Sequence, residues 1–136
     1  MNSVLIKFTR GELAKTTKVN SETIRYYEKI GLIQSPARTA GGHRIYAERH
    51  LNRVSFIRRS RELGFSLKEI RNLIELVDSE RYTCEEVRDR TVIHLSDIEQ
   101  KLADLQNMQI NLKDMISKCD GGLTPDCSIV DTLLSS

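Results

Sequence analysis

Three cysteines, Cys84, Cys119 and Cys127, are the side chains in this 136-residue chain whose types and spacing best suit chemistry. Thiolates are soft ligands that select soft or borderline metal ions, and free thiols can equally serve as redox groups. Taken singly, each cysteine reads more readily as a small buried hydrophobe, and an odd number cannot pair fully within one chain. Their joint placement reverses that weighting. Cys84 opens the longest uninterrupted helical stretch, Cys84–Lys118, which has no Pro or Gly inside, and Cys119 lies just past its end. The exposed amides of a helix start favour an anion such as a thiolate at Cys84. If residues 84–118 form one helix, its two end thiols stand about 50 Å apart and cannot bind one ion within a monomer. Two copies running antiparallel would bring Cys84 of one copy to Cys119 and Cys127 of the other, giving two equivalent three-thiolate sites. Three thiolates without a fourth ligand suit Hg(II) or Pb(II), whereas Cd(II) and Zn(II) usually take a fourth.

A second group of residues fits a polyanion. Residues 1–76 carry 15 Lys and Arg against 7 Asp and Glu, whereas residues 77–136 carry 6 against 12. A basic half joined to an acidic half suggests that only the first meets nucleic acid. Within it, Thr23, Arg25 and Tyr26 project together from one short helix, where Arg can clamp phosphate or guanine and Tyr and Thr can donate to phosphate. Arg38, His43 and Arg44 cluster at a turn that could grip the backbone beside that helix. Arg58, Arg59 and Arg61 form a further basic run that reads equally well as a solvated face.

The elements that must carry these groups are readable locally. Thr9 with Glu12 forms a capping box, predicting a helix to about Lys15; a turn follows, and Ser21 is placed to cap a second helix over Glu22–Ile30, ended by Gly31. Ile24 and Tyr27 are its core anchors. That spacing is helix-turn-helix spacing. Pro36, Gly41 and Gly42 mark turns around a small two-stranded wing with a basic tip. Glu48–Leu63 reads as a helix with Leu51, Val54, Phe56, Ile57 and Leu63 facing inward, and His50 on the surface. A second capping box, Ser66 with Glu69, opens a helix bearing Leu67, Ile70, Leu73, Ile74 and Val77. Thr83 with Glu86 forms a third, before the helix expected over Cys84–Lys118. There Thr91, Ile98, Leu105 and Leu112 recur every seven residues, flanked by Leu95, Leu102, Met108, Met115 and Ile116. A stripe that long calls for a partner helix from a second copy. His94 falls within it, where a packing role outweighs ligation. Cys119–Cys127 reads as a loop, and Ser128 as the cap of a short last helix.

Several of these segments together resemble one family. Thr23-Ile-Arg-Tyr-Tyr-Glu-Lys-Ile-Gly-Leu-Ile33, Arg38, Gly42-His-Arg-Ile-Tyr46, Phe56-Ile-Arg58 and Leu63-Gly-Phe-Ser-Leu-Lys-Glu-Ile70 resemble the MerR regulators, nearly continuously over residues 8 to about 76. The resemblance implies a mainly α protein: a winged helix-turn-helix DNA-binding domain plus a long C-terminal antiparallel coiled-coil dimerisation helix. It carries over Thr23, Arg25, Tyr26, Arg38, Arg44 and Tyr46 as DNA-facing. It also implies a homodimer on double-stranded promoter DNA that distorts an over-long spacer when its effector binds, realigning the contacts of RNA polymerase.

The three-cysteine pattern resembles the divalent-metal branch of that family. The copper(I) branch usually has Ser at the first position. The zinc sensors usually add ligands beside Cys119 or in the loop, but here Lys118 precedes Cys119 and the loop lacks His. Mercury sensors match best, although this loop is one residue shorter than theirs commonly is and Ser128 stands where Pro is common. Hg(II) therefore leads as effector, with Cd(II), Pb(II) and Zn(II) open. A thiol-based redox-sensing regulator is the rival of another class. The domain division expected is 1–78 for DNA binding, 79–118 for connector and dimerisation helix, and 119–136 for metal loop and terminal helix. No nucleophile–base set or phosphate loop points to an enzyme. No apolar run approaches the roughly 18 residues of a membrane span, and no signal peptide precedes the fold, so the expected setting is cytoplasmic.

Overall fold

The computed structural model describes residues 6–119, 121–122 and 127–135. The chain divides into two compact units, Met1–Thr83 and Cys84–Ser136.

The first unit begins with a short strand, β1 (Lys7–Phe8), and two helices, α1 (Arg10–Thr17) and α2 (Ser21–Lys29). The Thr9 hydroxyl accepts the Glu12 amide at 3.1 Å and the Glu12 carboxylate accepts the Thr9 amide at 3.3 Å, so the expected capping box is present. The helix runs to Thr17, two residues beyond the expected end, and closes on Lys18 in a left-handed conformation. Asn20, not Ser21, caps α2: its Oδ1 accepts the Glu22 amide at 2.7 Å. Asn20 has the extended backbone of an N-cap, while Ser21 is already helical. Gly31 follows at φ 79, which fits the expected turn.

The wing comprises β2 (Ala37–Arg38) and β3 (Arg44–Ala47), paired antiparallel as Ala37 with Ile45 and Arg38 with Arg44. β1 pairs with the other edge of β3, so the expected two strands are the larger part of a three-stranded sheet ordered β1-β3-β2. Helices α3 (Glu48–Glu62) and α4 (Leu67–Asp78) complete the unit. The Ser66–Glu69 capping box is present, both bonds at 3.1 Å.

One core joins these elements: Leu13 from α1, Ile24 and Tyr27 from α2, Tyr46 from β3, Val54 and Ile57 from α3, and Ile70 from α4 are all buried. Two side chains expected inside are not. Phe56 and Leu63 are 36% and 65% exposed, because α3 packs along the narrower face defined by Val54 and Ile57. His50, expected at the surface, is 2% exposed. Arg53 on α3 pairs with Asp78 on α4 at 2.6 Å, and Arg71 on α4 donates to the Ile30 carbonyl at the end of α2.

The second unit contains α5 (Cys84–Ser117) and α6 (Ser128–Leu134). At about 1.5 Å per residue, α5 spans about 50 Å. Leu95, Leu102, Leu105, Met108, Leu112 and Ile116 are each more than half exposed in the single chain. No described helix is long and apolar enough to cross a membrane.

Candidate nucleic-acid interface and thiol sensor

Helix α2 turns its apolar side inward through Ile24 and Tyr27, which leaves Arg25 and Tyr26 exposed and Thr23 half-buried. Arg38 and His43 are exposed on the wing, and Arg44 is half-buried at its root. The wing turn is held from within. The Thr39 amide donates to the His43 carbonyl at 2.8 Å, the Gly42 amide to the Thr39 carbonyl at 2.9 Å, and Arg38 Nη1 to the Gly42 carbonyl at 3.1 Å. Gly42 sits at φ 84, a conformation that L side chains rarely adopt.

Tyr46 departs from its expected DNA-facing role: it is fully buried. Its hydroxyl donates to Glu28 Oε1 and accepts from Arg10 Nε at 3.1 Å. Burial and the Glu28 carboxylate push its pKa above the ordinary phenol value, so it stays a donor. Glu28 also lies 3.5 Å from Arg10 Nη2 and 4.0 Å from Arg44 Nε. Through this one carboxylate α2 is tied to α1 and to β3, which fixes the wing beside the helix that carries Arg25 and Tyr26.

Sequence reasoning missed Arg10 and Glu28. A signal existed for Glu28, since it lies four residues after Ile24 on the inward face of α2, where an unpaired acid would be costly. Arg10 carries no comparable local signal. Of the basic run on α3, Arg58 pairs with Glu62 at 3.1 Å and Arg61 donates to the Phe65 carbonyl at 3.0 Å, while Arg59 is exposed.

The cysteines are free and stand at the ends of their helices. Cys84 is exposed at the first position of α5, and Cys119 is exposed two residues past its end. Cys127 is half-buried at the N-cap of α6. The Ser128 hydroxyl donates to the Lys118 carbonyl at 3.1 Å, so it ties the two ends of the loop together and does not serve as the expected cap. Cys119 and Cys127 are thus each next in sequence to one partner of that bond. Among the described residues of one chain, no three His, Cys, Asp or Glu side chains come together as metal ligands. The Cys119–Cys127 loop lies partly outside the described residues.

Residues 8–77 match the family described as MerR HTH family regulatory protein, and residues 51–115 match that described as MerR, DNA binding. The chain is 41% identical to the mercuric resistance operon regulatory protein of Bacillus cereus, over 95% of this chain and 98% of that one. It superposes on the transcription regulator PbrR691 of Ralstonia metallidurans, solved with lead(II), with a TM-score of 0.82 at 36% identity, covering 93% of this chain and 98% of that one. A transcriptional regulator MerR of Bacillus megaterium, solved with mercury(II), gives a TM-score of 0.73 at 37% identity, covering 94% and 100%. Its matched residues, its fold and its relatives place the chain in the MerR family of DNA-binding transcription regulators, among the members that respond to heavy-metal ions.

Proposed function

We propose that the chain works in the cytoplasm as a homodimeric activator on promoter DNA, with Hg(II) as the effector that switches on heavy-metal resistance genes. One observation carries the sensor half of this reading. Cys84 and Cys119 stand at opposite ends of a helix of 34 residues, so a three-thiol site forms only between copies. Cys84 of one copy would join Cys119 and Cys127 of the other. The donor set fits a thiophilic ion: three thiolates and no nearby imidazole in the described loop ends. A bound ion supplies neutralisation of three thiolate charges and a cross-link between copies. The protein's own residues do the rest. Arg25, Tyr26, Thr23, Arg38, His43 and Arg44 hold DNA, and the α5 stripe pairs the copies. Closing the shared site shifts the two DNA-binding units and distorts the spacer so that RNA polymerase engages.

Lead(II), cadmium(II) and zinc(II) are the competing effectors. A reporter panel of Hg, Cd, Pb, Zn and Cu salts, with dialysis of reduced protein against each ion, decides among them. The expected result is strongest induction by Hg(II), one tightly held ion per site, and loss of both in Cys84→Ser. Reversible peroxide-driven disulfide formation with weak binding of every ion would instead favour a redox sensor.

A further inference from the structure

A recess of about 380 Å³ opens at the root of the wing, lined by Thr9, Arg10, Arg38, Gly42, His43 and Arg44. Three guanidiniums face it, and the carboxylate that pairs with two of them is Glu28. The Glu28 side chain is only 9% exposed, whereas those of Arg10 and Arg44 are 23% and 32% exposed. The carboxylate therefore lies beneath the arginines. Three cations over one anion leave an excess of positive charge before His43 is counted. Donors are also left over. A guanidinium offers five N–H groups; Arg10 gives its Nε to Tyr46, and its buried Nη2 has no hydrogen-bond partner although Glu28 lies within ion-pair reach.

We propose that this recess takes a phosphodiester oxygen of the DNA backbone, with Arg10 as an added phosphate contact and Glu28 as the positioning residue that holds Arg10 and Arg44 towards it. The proposal rests on the reading of α2 and the wing as the DNA interface, and it adds Arg10 at the start of α1 and Glu28 near the end of α2. The recess joins groups from three elements, so a phosphate held there would fix helix and wing on the duplex together. Glu28 makes the sign of the effect informative. A carboxylate near a polyanion repels it, so if charge alone mattered, Glu28→Gln would tighten binding. If Glu28 positions the arginines, the same change loosens binding.

The test uses the full-length protein and a duplex selected from a random pool by the wild-type chain, with affinity followed against salt concentration. Arg10→Gln is expected to lower the slope of log affinity against log salt by about one, on the selected duplex and on unrelated duplexes alike. Glu28→Gln is expected to weaken binding by roughly tenfold and also to flatten the slope. Thermal melts of both variants report folding separately, and Arg10→Gln keeps the test open if Glu28→Gln unfolds. An unchanged slope in Arg10→Gln, or tighter binding by folded Glu28→Gln, overturns the proposal. Arg25→Ala separates the two levels: if it abolishes binding while Arg10→Gln leaves the slope intact, the recess alone fails. If Arg25→Ala changes nothing, the interface reading fails with it.

Discussion

His50 shows how one side chain can set a condition on the whole DNA-binding unit. It is buried, its Nδ1 accepts the Ala47 amide at 2.9 Å, and the Tyr46 ring stands edge-on to it with centroids 5.4 Å apart. An accepting Nδ1 requires the neutral ring. Burial pushes its pKa below the ordinary value of 6.5 and the Arg49 charge adds to this, while the Gln34 and Ala47 backbones and Glu28 pull the other way. The unfolded chain therefore takes up this proton at a higher pH than the folded chain. The stability that His50 contributes is present above 6.5 and is lost as pH falls through the lower folded value. Urea melts from about pH 8 down to about pH 5 should show unfolding becoming easier below the ordinary histidine range. His50→Asn should lose that dependence and cost roughly 1–3 kcal/mol at neutral pH through the broken buried bond. A wild-type stability that stays flat across this range would remove the argument.

At the scale of elements, α2 offers a comparison between adjacent residues. Asn20 accepts the Glu22 amide, whereas Ser21 is already the first residue of the helix and is not its cap. Asn20→Ala should cost about 1 kcal/mol and loosen the helix that carries Arg25 and Tyr26, while Ser21→Ala should cost far less. Denaturant midpoints of the two variants measure this, and equal losses would contradict it. Both residues are good caps, so composition alone does not choose between them; the backbone angle at Asn20 does. The same distinction runs through the fold. Thr9–Glu12 and Ser66–Glu69 were legible because a capping box depends on residues three apart, and the heptad stripe was legible because it repeats over a long helix. β1 was not, because its two residues gain their conformation only by pairing with Tyr46 and Ala47. Tyr46 carried a family pattern that points to DNA, yet its burial depends on Glu28 and Arg10, partners 18 and 36 residues away. In α5 the stripe sets a further expectation. Each exposed Leu, Met or Ile on it would contribute about 1.5–3 kcal/mol if buried, and six in each copy suffice to offset the roughly 4–15 kcal/mol cost of association. Leu105→Lys should therefore raise the dimer dissociation constant at least tenfold in sedimentation experiments, with helix content unchanged. An unaltered dimer would place the interface on another face.

At the scale of the whole molecule, the length of α5 turns the location of the cysteines into a question about subunits. If each site draws Cys84 from one copy and Cys119 with Cys127 from the other, neither Cys84→Ser nor the double variant Cys119→Ser, Cys127→Ser forms a complete site on its own. A mixed dimer of the two behaves differently. One of its two sites collects all three substitutions, and the other collects three intact thiols. Co-refolding differently tagged variants and isolating the mixed dimer should therefore restore half of the wild-type Hg(II) binding, at wild-type affinity. A site built within a single chain predicts none, because each copy in the mixture lacks at least one ligand. Sites that need only the Cys119–Cys127 pair predict full binding by Cys84→Ser alone. The three outcomes differ in stoichiometry, not merely in affinity, so partial damage to folding does not mimic any of them. The helix makes the distinction sharp: about 50 Å of α5 separates the thiols within one chain, far beyond the few ångströms that ligands of one ion must span.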